Sequence, residues 1–232
     1  VHRELTGLTH TGVGWIVGAL LLFLASLSFF FLGDFLETGR ASLDAYFESW
    51  PALFSFLLPA LTMRVFAEER SNGMDELLGV FPVASSSVVI GKFAALMVYI
   101  LCIAVLSLPV PLGVGLLGRI PVTLVLAQYV SLFMLASAML SIGVFVSAIT
   151  ASQIVAYVFT VLVLIVLAFL DSLPGLLGLG GTLAAITRGI SLEAGYTDLA
   201  MGLMNVGDIT YFVMITVLFL RAATHALKAR GY

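Results

Sequence analysis

The stretch 12-GVGWIVGALLLFLASLSFFFL-32 decides the fold of this chain. It contains no charged residue, and a helix needs about 20 mainly apolar residues to cross a hydrocarbon core roughly 30 Å thick. The run is too long for the apolar region of a signal peptide, and no Ala-x-Ala-like cleavage site follows it. A retained membrane helix over 12–32 is therefore expected. Working outward, five further apolar runs follow at 50–66, 88–117, 122–148, 153–170 and 205–225. The expectation is an all-α integral membrane protein of six transmembrane helices, forming a single domain over 1–232.

Composition points the same way. Of 232 residues, 61% are hydrophobic and 10% charged, where a soluble domain carries roughly 25% charged residues. That excludes a water-soluble enzyme. The net charge of -3, from 10 basic and 13 acidic residues, offers no basic surface, so no nucleic-acid partner is expected. The only cysteine, Cys102, sits in an apolar run and reads as a small packing residue. His2, His10 and His225 are scattered without ligand spacing. No metal site is expected.

Orientation follows from the bias of Lys and Arg in short loops. Six spans put both termini on one side, together with Arg3, Arg64, Arg70, Lys92, Arg221, Lys228 and Arg230. The other side holds only Arg40, Arg119 and Arg188, beside the acids Asp34, Glu37, Asp44, Glu48, Asp171, Glu193, Asp198 and Asp208. The expected location is the cell (inner) membrane with both termini cytoplasmic. The loop 67–87 is then cytoplasmic and the segment 171–204 lies outside.

Nothing ionisable lies near the middle of an expected span. Arg64, Lys92, Asp208 and Arg221 are near span ends, where long side chains reach the interface. Pumps driven by ion gradients generally need buried ionisable groups or broken helices there. Only Gln128, Gln153 and the prolines of the third span offer anything similar. Energy for any uphill movement would come from elsewhere. The stretch 86-SSVVIGKF-93 ends in Gly-Lys like a phosphate-binding loop. However, Ser86 replaces its first glycine and Phe93 the magnesium-binding hydroxyl. Gly91-Lys92 instead reads as a turn into the membrane, and no nucleotide site or catalytic pair is expected in this chain.

The loop is the most informative polar segment: 62-TMRVFAEERSNGMDELLGVFPVASSSVVIGK-92. Met74, Leu77, Leu78 and Phe81 recur at helical spacing, after a start near Asn72 and before a stop at Pro82. A helix this short is unstable alone and needs a surface to lie on, either the membrane interface or another protein.

The pattern formed by Met63, Arg64, Phe66, Ala67, Glu68, Glu69, Arg70, Gly73, Glu76, Leu77, Leu78, Pro82, Val83, Gly91 and Lys92 resembles the membrane subunit of ABC-2-type transporters, in the gliding-motility-type branch. Gly202, Asp208, Tyr211, Phe212 and the 227-LKAR-230 tail extend the resemblance along nearly the whole chain. It implies a coupling helix within 68–82, gripped by a separate cytoplasmic ABC ATPase present in two copies, with two permease chains forming a homodimer. ATP and Mg would be bound by that partner and no cofactor by this chain. Glu68, Glu69, Arg70, Gly73, Glu76, Leu77, Leu78, Phe81 and Pro82 become the candidate ATPase-coupling interface. The resemblance also implies an exporter and a re-entrant outer hairpin over 171–204, for which a surface loop lying on the membrane lipid is the alternative. A second function of a different class is a non-transporting anchor or scaffold that recruits a soluble partner through the 67–87 loop.

Three more features carry paired readings. Gly14 and Gly18 form a G-x-x-x-G spacing that serves either dimer packing or packing within the chain. Ser137 and Ser141 repeat small-x-x-x-small spacing with the same two uses. Pro109 and Pro111 are a candidate hinge or a fixed kink in the third span.

Overall fold

The computed structural model describes residues 12–32, 42–67, 85–118, 120–178, 181–203 and 205–229, and among these every regular element is helical. Helix α1 covers Val13–Leu27 and runs into a π-helical turn over Ser28–Leu32. Helices α2 (Asp44–Glu48) and α3 (Trp50–Thr62) follow. Then come α4 (Ser85–Ser107), α5 (Pro109–Leu117), α6 (Val122–Ile149) and α7 (Gln153–Ala168). Three short helices, α8 (Leu173–Leu177), α9 (Thr182–Ile190) and α10 (Leu192–Ala200), precede the long α11 (Val206–Lys228).

Four of these, α1 with its π turn, α4 continued through α5, α6 and α11, are long and apolar enough to cross a membrane. The expected second and fifth spans give shorter helices, α3 of 13 residues and α7 of 16. At about 1.5 Å per residue these reach roughly 20 and 24 Å. The expected second span, 50–66, loses its last turn because the chain leaves the helix at Met63. The third begins earlier than the expected 88, at Ser85. The Gly91-Lys92 turn is accordingly corrected: both residues lie inside α4.

The bundle is organised around α6. It packs against α3, α4, α7, α10 and α11, and 72% of its most apolar stretch is buried within the protein, against 11% for α11. The residues that allow this are small. Ser131, Ala136, Ala138, Ser141, Gly143, Ser147 and Ala148 are all buried, and close helix approach requires small side chains. Buried hydroxyls turn back on their own helix, as Ser131 donates to the Gln128 carbonyl at 2.8 Å and Ser141 to that of Ala138 at 2.7 Å. At Gly143 a Cβ would lie 2.3 Å from Thr62 Oγ1, so α3 and α6 touch there backbone to side chain.

At the end of the bundle holding α2, an aromatic cluster fills the space. Tyr46 stands edge-on to Phe29, Phe47 and Trp50, and Phe47 to Tyr129, with ring centroids 5.2–5.8 Å apart. Such geometry favours the positive ring edge over the negative face. Tyr196 of α10 closes the cluster by donating to the Phe47 carbonyl at 2.8 Å.

Candidate functional site

The candidate coupling residues Glu68, Glu69, Arg70, Gly73, Glu76, Leu77, Leu78, Phe81 and Pro82 lie outside the described residues, as does the expected helix they belong to. What is described is the base from which that loop departs and to which it returns.

The base begins where α3 ends. Its last carbonyls need donors, as those of any helix C-terminus do. Met63 N–H donates to Pro59 O at 2.9 Å and Val65 N–H to Thr62 O at 3.1 Å, tightening the exit into a turn. The Lys92 ammonium, from α4, donates to the Val65 carbonyl at 2.7 Å. It also lies 5.0 Å from the centre of the Phe66 ring, over its face. Lys92 is only 6% exposed, so it reaches inward rather than out to the interface as its position near a span end led us to expect. A cation at this point complements the negative end of the α3 dipole.

From α6, Ser147 Oγ accepts hydrogen bonds from the Phe66 and Ala67 N–H groups at 3.1 and 3.2 Å, and donates to Met63 O at 3.3 Å. One hydroxyl thus replaces the next turn of helix. The residues that lead into the loop, Val65 to Ala67, are held jointly by α4 and the central helix. Sequence reasoning noted Lys92 but not Ser147. The signal available was a hydroxyl residue one position before the end of the expected 122–148 run.

The other expected residues fall as follows. Gly14 and Gly18 face Tyr99 of α4: the Tyr99 hydroxyl donates to Gly14 O at 2.5 Å, and a Cβ on Gly18 would meet that hydroxyl oxygen at 2.7 Å. Ser137 shares a 3.2 Å hydrogen bond with Thr216 of α11. Pro109 and Pro111 lack N–H groups and interrupt the third span at Leu108, whose N–H bonds to Val105 O at 3.2 Å instead of one residue further back. Cys102, expected to pack, is exposed on α4.

At the far end of α6, about 28 Å along the helix from Ser147, polar groups gather round a cavity of about 370 Å³. Its walls include Asp44, Glu48, Phe47, Gln128 and Tyr196. Asp44 accepts from Ser42 Oγ at 2.7 Å and from Gln128 Nε2 at 3.3 Å. The segment 34–49, with Leu36, Leu43, Tyr46 and Phe47 among acids, reads from sequence as a partly amphipathic outer loop without chemistry, and nothing in it announces that α6 presents Gln128 to Asp44.

Beside this cavity, burial raises the Glu193 carboxyl above its ordinary value, and the charges of Asp171 and Glu48 raise it further. A raised folded-state value means this group favours folding when protonated and opposes it once ionised. Glu193→Gln is therefore expected to raise the melting temperature at neutral pH. The gain should vanish as pH falls below the ordinary glutamate value of 4.5. Thermal unfolding in detergent across that range measures it; a gain that persists in acid would place the cause elsewhere.

The chain matches no known family profile, and no curated protein matches it in sequence.

Proposed function

We propose that this chain is the membrane-spanning permease subunit of an ATP-binding-cassette transporter. The chain would pair as a homodimer and couple to two copies of a separate cytoplasmic ATPase that binds ATP and Mg. In this reading α3 and α7 complete six spans, both termini are cytoplasmic in the inner membrane, and 171–204 forms the re-entrant outer hairpin. Export is the direction that fits the family resembled.

The observation that carries the proposal is the clamped base of the 68–84 segment. A cytoplasmic loop that merely joined two spans would need no fixed departure. Here the residues that lead into it, Val65, Phe66 and Ala67, are tied to Lys92 on α4 and to Ser147 on the central helix. A push on the loop is then delivered to α3, α4 and α6 together rather than lost in a slack linker. Nucleotide-driven closure of the ATPases would rock these helices and open the opposite end of the bundle.

The test is co-purification in detergent of the tagged chain expressed with its neighbouring genes, followed by assay of ATPase activity. Recovery of a P-loop ATPase at equal stoichiometry is expected, with association abolished in Leu77→Asp/Leu78→Asp while membrane insertion stays intact. A chain recovered without any ATPase would sink the transporter reading and leave the non-transporting scaffold. Retained association in the double variant would remove Leu77 and Leu78 from the interface.

A further inference from the structure

The cavity at the α2 end of the bundle is walled by Asp44, Phe47, Glu48, Leu124, Gln128, Tyr196, Thr197, Ala200 and Met201. Among the described residues its lining holds two carboxylates and no cationic side chain. Asp44 and Glu48 stand one helical turn apart on α2, so both acids serve the same opening. Gln128 is 1% exposed, and while its Nε2 is committed to Asp44 at 3.3 Å, its Oε1 is buried and accepts no hydrogen bond. A buried amide oxygen without a donor is costly and rare. Two carboxylates and an amide oxygen without a donor thus border one concavity, in which Asp44 alone has neutral donors, Ser42 Oγ and Gln128 Nε2, among the described contacts of the two acids.

The surroundings accentuate this. Asp171 and Glu193 lie close enough for Asp171 and Glu48 to raise the Glu193 carboxyl. The Arg188 guanidinium, by contrast, is already engaged with Asp198 at 3.3 Å. Apart from Thr197, whose hydroxyl donates to the Glu193 carbonyl at 2.8 Å, the remaining walls are apolar or aromatic.

A divalent metal fits this poorly. Ca²⁺ takes six to eight oxygen ligands at about 2.3–2.6 Å. Among the described residues no group of three acidic or metal-binding side chains is close enough to hold one. A primary ammonium matches the set better, since its three N–H donors can meet the two carboxylates and the unmet Gln128 oxygen once that amide turns, exchanging its Nε2–Asp44 bond for one to the ammonium. Its carbon body would rest on Phe47, Leu124 and Met201.

We propose that this cavity binds a protonated primary amine carrying an apolar body, with Asp44 and Glu48 pairing its charge and Gln128 fixing its N–H direction. The proposal does not depend on coupling to an ATPase, because binding is a property of the chain alone.

The probe is dansylcadaverine, a fluorescent primary amine, titrated against the full chain in lipid nanodiscs with empty nanodiscs as blank. Its N-acetylated form, of nearly the same shape but uncharged, is the control. Saturable binding of the amine and none of the acetylated form is expected. Asp44→Asn/Glu48→Gln should weaken it by roughly tenfold or more, as loss of charge-assisted hydrogen bonds does. Glu48→Gln alone, at an exposed side chain, keeps the test valid should the double variant fail to fold, and should still weaken binding severalfold. Gln128→Met keeps the volume and removes the acceptor, and should weaken the primary amine more than its N,N,N-trimethyl derivative, which has no N–H to donate. Absence of saturable binding, equal binding of the acetylated form, or full affinity in Glu48→Gln would each overturn the proposal. Displacement of the probe by equimolar Ca²⁺ would overturn it in favour of a metal site.

Discussion

Gly143→Ala is expected to destabilise the protein by about 1–3 kcal/mol, the range for forcing extra atoms into a packed core. The new Cβ would lie 2.3 Å from Thr62 Oγ1, 2.7 Å from Thr62 Cβ and 2.9 Å from Thr62 Cγ2. Rotating the threonine cannot relieve this, since its Cβ is fixed to the α3 backbone, so the two helices must separate. A larger residue such as Leu should prevent recovery of folded protein. The partner change tests the cause. Thr62→Gly alone should cost about 1 kcal/mol for glycine within a helix, yet in combination with Gly143→Ala it should restore much of the lost stability. A double-mutant cycle read by the temperature at which detergent-solubilised protein loses monodispersity measures the coupling. Simple additivity of the two losses would mean that α3 and α6 do not meet at this point.

The second large effect concerns the loop base. Lys92→Met keeps the length of the side chain and removes its charge and donors. The hydrogen bond to Val65 O, at 2.7 Å and nearly buried, involves an ionised donor, a class that contributes about 1.5–3 kcal/mol. Its loss should fray the end of α3 and slacken the departure of the loop. On the permease reading, the variant still inserts and still binds the ATPase, since Leu77 and Leu78 are untouched. The protein should then fail in transmission: ATPase association normal, transport reduced several-fold. Lys92→Arg retains a cation and should recover part of the activity. Ser147→Ala, which removes the acceptor for the Phe66 and Ala67 N–H groups, should reproduce the defect. A Lys92→Met protein that transports normally would separate the clamp from function.

Four of the six expected runs were readable as helices long enough to cross a membrane, because the bilayer sets a minimum apolar length, and 122–148 falls within one residue of the observed α6. The central role of α6 was not readable by the same means. Its apolar residues are spread evenly round the helix, with no preferred face. In hydrocarbon, buried and lipid-facing positions are equally apolar, so periodicity separates nothing. The usable signal was the density of Ser, Ala and Gly between 131 and 148. Lys92 was misread for a related reason. Near a span end a lysine can reach the interface or turn inward, and only the position of the α3 carbonyls decides. Likewise Gln128 stood out as polar, but its partner Asp44 lies 84 residues away in a segment with no pattern of its own.

The placement of the hub in the chain has a consequence for biosynthesis. As the polypeptide emerges, α1, α3 and α4 reach the bilayer before α6, the helix on which α3 and α4 lean. Until then α1 and α3 have the lipid and each other, and the Lys92 ammonium of α4 has only the end of α3 to meet. The serine-rich α6 enters when α3 and α4 are already in place for its small side chains, and its Ser147 meets the residues that follow α3. Helix α11, which packs most extensively on α6, arrives last. Nascent chains halted before residue 122 should insert but stay protease-sensitive between helices, and those carried past 149 should gain protection in a single step.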